Sequence, residues 1–304
     1  MNALGIVMIF LASLVFPGII TRTKSIASGC KGPGIMQPMR DIIRLLKKGS
    51  VYSTTTSFIF KIAPLVYFAS IISAALLLPF GNQPGILSFR GDFIAFSYIL
   101  ALGKFFMIIA ALDTGSAFEG MGASREATYS MLVEPAFFIL LASFAMLTGH
   151  TSFHEIFNAL YFDSYITVFA GILAAFNLFQ IIMVENSRLP YDDPKTHLEL
   201  TMVHEVMVLD NSGFDLGIIN YASSLKFVIF GTLISNFFFA PRFPIYTGII
   251  IFIVTQIAFA IMVGLAESFR ARFKLRNNNK AIILLTPISI LIFISLIMIA
   301  THQF

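Results

Sequence analysis

The sequence predicts an all-α integral membrane protein of about eight transmembrane helices, and three observations carry that expectation. Apolar runs of about 20 residues, the length that crosses a hydrocarbon core, recur from end to end of the 304-residue chain. Hydrophobic residues make up 57% of it and charged residues only 12%, against roughly half and about a quarter in a soluble globular domain. Basic residues also gather in alternate loops, as they do in loops that remain cytoplasmic.

Taken in order, the spans are expected at 3–20, 58–79, 93–112, 127–148, 165–184, 221–240, 245–266 and 281–301. The first lacks a basic stretch before it and is followed directly by Arg22, Lys24 and Lys31. It therefore reads as an uncleaved helix rather than a signal peptide. The loops then test the layout. Seven basic residues (Arg22, Lys24, Lys31, Arg40, Arg44, Lys47, Lys48) follow the first span and five (Arg270, Arg272, Lys274, Arg276, Lys280) follow the seventh. Arg125, Arg188 and Lys195 join them on that side, whereas the opposite loops hold only Arg90 and Arg242. Basic loops mark the cytoplasmic side, so both termini are expected outside, and the even helix count agrees. The chain reads as one transmembrane domain over 1–304, with cytoplasmic loops at 113–126, 185–220 and 267–280.

Two cytoplasmic segments are more than connectors. Residues 36–48 place Met36, Met39, Ile42, Ile43 and Leu46 at helical spacing, with Arg40, Asp41, Arg44 and Lys47 on the other face. This is the pattern of an amphipathic helix lying on a membrane surface, as an anchor or a docking element. The 185–220 loop carries Glu185, Asp192, Asp193, Glu199, Glu205, Asp210 and Asp215 against two basic residues. Its apolar positions, among them Leu198, Met202, Val203 and Val206, predict an ordered, partly buried loop, since a loop that long is usually functional or disordered.

Ionisable groups inside a bilayer are expensive and are functional candidates by default. Glu134, directly before Pro135 in the fourth span, and Glu185, at the end of the fifth, are the foremost. Lys61, Lys226 and Glu267 read as interfacial, with long stems snorkelling or helix-end placement. Lys104 also falls within a span. The 113–126 loop gathers Asp113, Glu119, Arg125 and Glu126 among three glycines, which suggests a tight hydrogen-bonded turn or plain polar capping.

Several chemistries can be struck out. The lone Cys30 excludes a disulfide framework, a cysteine-ligated zinc site and an iron–sulfur cluster built by this chain alone. His204-Glu205 is followed by Val208 where a zincin needs histidine, and His197 with His204 is too little for a metal site. There is no GxGxxG, GxxxxGK[ST] or GxSxG. The net charge of +4 reports orientation in a membrane protein, not nucleic-acid binding.

Three segments together carry a family resemblance. Lys31-Gly32-Pro33-Gly34-Ile35-Met36-Gln37, running into Asp41 and Lys47, resembles the GPN…Q…D…K element of respiratory complex I subunit 1. The stretch from Gly115 to Glu134, with Gly122-Ala-Ser-Arg125-Glu126, resembles that subunit's LGALR…SYE. Glu185-Asn186-Ser187-Arg188-Leu189-Pro190-Tyr191-Asp192 resembles its ETNRxPFD motif, and Glu199-Leu200 its SELV. The departures are Lys195 and a histidine where glutamates usually stand, and about two extra residues before Asp210-Asn-Ser-Gly213. That variant is similar to the membrane subunits of group 4 [NiFe] hydrogenases, of the hydrogenase-4 and formate hydrogenlyase type. It weakens the case for a quinone chamber.

The resemblance implies a non-catalytic membrane subunit of an oxidoreductase complex in the cell's inner membrane. It implies a proton path through Asp113, Glu119, Glu126, Glu134, Glu185, Asp192, Asp193, Glu199 and Glu205, with Arg125 and Arg188 as electrostatic partners. Met36, Arg40, Arg44 and Lys47 would dock a cytoplasmic arm. It further implies that this chain binds no cofactor, and that iron–sulfur clusters, with or without a [NiFe] centre, sit in partners. Those partners are an iron–sulfur subunit, a hydrogenase-like large subunit and antiporter-like membrane subunits, all held in a lipid bilayer. Two alternatives stand beside it: a quinone-binding subunit of an NADH-quinone oxidoreductase, and a stand-alone proton-coupled secondary transporter.

Overall fold

The computed structural model describes residues 2–81, 83–160, 165–193, 202–237 and 245–302. Eight of its helices are long and apolar enough to cross a membrane. In chain order the elements are α1 (Asn2–Ala27), α2 (Gln37–Leu46), α3 (Phe58–Leu77), α4 (Asp92–Asp113), α5 (Ala117–Thr148) and α6 (Phe153–Ala159). Then follow α7 (Tyr165–Glu185), α8 (His204–Met207), α9 (Gly213–Asn236), α10 (Ile245–Phe269), α11 (Leu275–Ile283) and α12 (Leu285–His302). The protein is thus a multi-pass, all-helical membrane protein, as its hydropathy pattern requires.

Several boundaries differ from those read in the sequence. The segment 113–126 is not a loop: from Ala117 onward it is the start of α5, whose 32 residues rise about 48 Å, more than a hydrocarbon core needs. Hydropathy registers what lipid touches, whereas this polar overhang is held by protein. A Cβ at Gly122 would lie 2.5 Å from Cγ1 of Val206, so α8 packs directly on it. The sixth span begins at Gly213 rather than 221. The acidic loop therefore ends at Ser212, and Asp215 falls in the first turn of α9. The amphipathic helix is present over Gln37–Leu46, with Ile42 as its buried residue.

α9 is the central helix: 78% of its apolar window is enclosed by protein, where the others are between 28% and 50%. Around it α10, α1, α3, α4, α5, α12 and α7 pack as successive neighbours. Phenylalanines fill the interior. Phe16 of α1 stacks on Phe227 of α9 at 5.5 Å, and Phe96 of α4 meets Phe230 of α9 edge-on at 6.4 Å. Small residues permit the closest approaches, since lipid supplies no hydrophobic drive for helices to associate. A Cβ at Gly103 would sit 2.0 Å from the Ser70 hydroxyl, so α3 and α4 touch where glycine stands.

The basic-side connections are tied together by polar contacts. Asp113 accepts the backbone N–H of Ser57, the residue before α3, at 2.7 Å. Ser212 Oγ accepts Val51 N at 3.0 Å, and Glu119 Oε1 accepts Asp210 N at 2.9 Å. On the opposite side Asp92, fully buried, accepts Phe153 N at 2.7 Å, Ser152 Oγ at 2.9 Å and Ser88 Oγ at 3.0 Å.

Candidate functional site

The buried charges converge in the basic-side half of the bundle. Glu185, the last residue of α7, has a side chain only 10% exposed. Lys104 of α4 and Lys226 of α9 both donate to its Oε2 at 2.9 Å. Lys226 also donates to the Glu185 backbone carbonyl at 2.7 Å. Lys104 reaches Glu126 of α5 at 3.5 Å, and the Ser187 hydroxyl meets the other oxygen of Glu126 at 3.5 Å. Four helices thus contribute two ammonium groups and two carboxylates to one cluster. A charge buried in low dielectric is tolerated only when paired and hydrogen-bonded, and here each has such a partner.

The reading of Lys226 as interfacial is overturned. With α9 starting at Gly213, Lys226 lies thirteen residues, roughly 20 Å, along it, and is 3% exposed. Snorkelling to the surface from that depth is not available to it. Glu267 is at a helix end as expected, yet it is 4% exposed and ion-paired to Lys24 at 2.9 Å and to Arg188 at 3.3 Å. Lys61 is exposed, with its ammonium 5.1 Å above the Tyr52 ring.

Two small cavities flank the cluster, each with charged groups set in a largely apolar wall. One, about 30 Å³, lies towards the basic side among Tyr67, Glu126, Asn186, Ser187 and His204, with Lys104, Glu185 and Lys226 on its wall. The second, about 20 Å³, lies deeper, between Glu134, Ser97, Lys104 and Glu185. Each is roomy enough for a water molecule or two, because one needs about 10–15 Å³ and several polar partners. Lys104 and Glu185 border both. Glu134, half-buried, therefore joins the cluster across the second cavity.

The loop after α7 is fixed by a further pair. Asp192, 1% exposed, accepts Arg272 Nη2 on its Oδ1 at 2.6 Å. It also accepts the backbone N–H of Val203 at 3.2 Å, of His204 at 3.0 Å and of Asp193 at 2.9 Å. Burial pushes the Asp192 carboxyl above its ordinary range, while the His204 N–H and Arg272 pull the other way. Burial raises neighbouring Tyr191 to about 12, with Arg270 opposing. Through His204, Asp192 holds one wall of the basic-side cavity in place.

The other expected residues separate. Glu119 is buried on the overhang of α5 and takes Asp210 N. Asp113 binds the backbone before α3. Arg125 donates to the Met202 carbonyl at 2.9 Å. Arg188 lies 4.8 Å above the Phe227 ring beside Glu267. Asp193 and Glu205 are half-buried, and from α8 it is His204 and Met207, not Glu205, that line the cavity. Glu199, with Lys195, His197 and Arg242, lies outside the described residues. On α2 and its two flanking residues, Met36, Arg40, Arg44 and Lys47 are all exposed, Arg44 pairing loosely with Asp41 at 3.5 Å. The groups missed in the sequence are Lys104 and Lys226 as counter-ions, and Arg272. For the lysines the signal was their depth within spans.

Eight spanning helices around an ion-paired core define a polytopic membrane protein with charge to manage inside the bilayer. The chain belongs to the NADH dehydrogenase family, that of complex I subunit 1, whose profile it matches over residues 1–299. It is 30% identical to hydrogenase-4 component C of Escherichia coli (strain K12) over 276 residues, 88% of this chain and 85% of that protein. It is also 30% identical to formate hydrogenlyase subunit 4 of the same organism over 278 residues, 88% of each. With an NADH-quinone oxidoreductase subunit of Koribacter versatilis (strain Ellin345) it shares 29% over 182 residues, 56% of this chain and 43% of that one. Among solved structures, its fold matches a chain of the membrane-bound sulfane sulfur reductase, an archaeal respiratory membrane complex. The TM-score is 0.81 at 19% identity, covering 97% of this chain and 98% of that chain. The resemblance carried by the three motifs is borne out.

Proposed function

We propose that this chain is the membrane-anchoring and proton-coupling subunit of a complex I-like or group 4 hydrogenase-type oxidoreductase, seated in the inner membrane with both termini outside. The observation that carries the reading is Glu185, shared by Lys104 and Lys226 at 2.9 Å, with a water-sized cavity on either side. Glu126 borders the first cavity and Glu134 the second.

In such a cluster the groups titrate together rather than singly. A proton added to Glu126 releases part of the hold of Lys104 and shifts it towards Glu185. Water in the two cavities then links Glu126 and Glu185 to Glu134. A change of charge beyond the basic face acts first on the loop that Asp192 and Arg272 anchor, and through His204 on the first cavity. Glu119, Asp193, Glu199 and Glu205 would feed that loop from outside, with Asp113, Arg125 and Arg188 holding its supports.

The partners follow the family. An iron–sulfur subunit and a hydrogenase-like large subunit would sit on the basic face, against exposed Met36, Arg40, Arg44 and Lys47. Antiporter-like membrane subunits would receive the proton path laterally. Clusters and any nickel belong to those partners.

The test is made on the purified complex in sealed vesicles, reading redox turnover and internal pH together. Glu185→Gln should leave turnover measurable while proton movement per turnover falls by about tenfold or more, within the usual span of coupling between linked sites. Unchanged proton movement in Glu185→Gln and Glu134→Gln together would refute the reading. The double substitution Arg40→Glu and Arg44→Glu should instead release the peripheral arm.

A further inference from the structure

Phenylalanine is the usual aromatic filler of this bundle: the chain has 34, against nine tyrosines. Three tyrosines are nonetheless buried among the described residues, Tyr67, Tyr129 and Tyr191. A buried phenol needs a hydrogen-bond partner, which phenylalanine does not. Tyr129 OH accepts Asn278 Nδ2 at 2.8 Å, and Tyr191 OH donates to Gln180 Oε1 at 3.3 Å. Both of these end on amides and join one segment to another. Tyr67, midway along α3, differs. Its hydroxyl shares a hydrogen bond with that of Ser223 on α9, and both side chains line the first cavity with Glu126 and Glu185.

The hydroxyl pair lies beside both lysines of the cluster. A Cβ at Gly103 would sit 3.3 Å from Cδ2 of Tyr67, so the ring rests on α4 at the residue before Lys104. Ser223 precedes Lys226 by three residues on α9, which puts the two on one face of that helix. Lys104, Glu126 and Glu185 all lie within electrostatic reach of the phenol. These groups differ in what they can do with a proton. An ammonium has three donors and no acceptor. Lys104 and Lys226 can therefore pass a proton only by first giving one up, which breaks a buried ion pair. An excess proton on water in the cavity would be repelled by both of them. A hydroxyl donates and accepts at once and stays neutral.

We propose that Tyr67 and Ser223 form a hydroxyl relay that carries protons between Glu126 and Glu185 across the first cavity. A proton leaving the Glu126 carboxyl is accepted by one hydroxyl oxygen. That hydroxyl passes its own proton to the other, which gives one to the Glu185 carboxylate. Glu126 ends ionised and Glu185 neutral, and each hydroxyl has gained one proton and lost one. In a cavity of about 30 Å³ the ends of the relay are within a water molecule or two of either carboxylate. The inference rests on the proton-coupling reading and adds a particular route to it.

The assay is the purified complex in sealed vesicles, with redox turnover and internal pH read together. Tyr67→Phe keeps the ring and removes only its oxygen. It should lower proton movement per turnover by about tenfold, within the usual span of coupling between linked sites. Ser223→Ala should give the same loss from α9, and Ser223→Thr, which keeps a hydroxyl, should retain coupling. The double variant Tyr67→Phe and Ser223→Ala should lose no more than either alone, because one missing link already breaks a chain. Unchanged proton movement in Tyr67→Phe, where Glu185→Gln loses it, would overturn the relay and leave the coupling reading standing. Unchanged movement in both would overturn the two together. Losses that multiply in the double variant would make the hydroxyls separate structural contacts, and the relay would fall on that result as well. Should one single variant fail to assemble, the other decides on the same outcomes.

Discussion

Asp92 and Glu185 are both buried carboxylates, near opposite ends of the helical bundle, and their surroundings differ in kind. Asp92 is satisfied by two serine hydroxyls and one backbone N–H, all neutral. These donors join the start of α4 to the start of α6, and the carboxylate acts as a staple for the outer connections. Glu185 is satisfied by two ammonium groups, with a water-sized cavity on each side. Burial alone therefore does not distinguish structure from function. The charge of the partners and the space beside them are what set these two carboxylates apart.

The comparison breaks most decisively at Lys226. Lys226→Met leaves Glu185 to a single ammonium, and removing one member of a buried ion pair costs about 3–5 kcal/mol. A large fall in the thermal midpoint of the detergent-solubilised complex is expected, together with loss of proton movement. A neutral outcome would reduce the cluster to ordinary packing. Asp92→Asn comes next. It keeps an acceptor oxygen but unsettles the serine and N–H donors, at a cost of about 1–3 kcal/mol, and proton movement per turnover should stay at its original value. A loss of coupling there would erase the distinction between the two sites.

Asp113→Ala sharpens the comparison from the basic side. It removes the acceptor for Ser57 N and should cost about 1 kcal/mol, the usual net value of one hydrogen bond, without touching coupling. Chemical denaturation with a constant m-value would show this. The smallest effect is expected at Ser187→Ala, whose contact to Glu126 is long at 3.5 Å. Stability should change by less than about 1 kcal/mol, while the pH profile of proton movement shifts because Ser187 lines the first cavity.

Much of this was legible in the sequence. The eight spans followed from hydropathy, and Glu134 and Glu185 stood out because glutamate is too short to reach water from within a span. What stayed hidden depended on where helices begin. Reading the sixth span from 221 put Lys226 near a surface, whereas the true start at Gly213 puts it in the interior. Reading 113–126 as a turn missed that protein contacts, such as Gly122 against Val206, keep a polar stretch helical beyond the lipid. The pairing of Asp192 with Arg272, eighty residues on, has no local signature, since helix packing alone brings the two loops together.

The length of α5 has a consequence of its own. Glu119, Glu126 and Glu134 stand on this one continuous helix, seven and eight residues apart, so successive carboxylates are separated along its axis by about 11 and 12 Å. A hydrogen bond reaches about 3 Å, so α5 behaves as a ladder with rungs too widely set to climb. No proton can travel along it unaided. A proton passing between these carboxylates would have to leave the ladder for a foothold on another helix, at Lys104 or at Glu185, and then return.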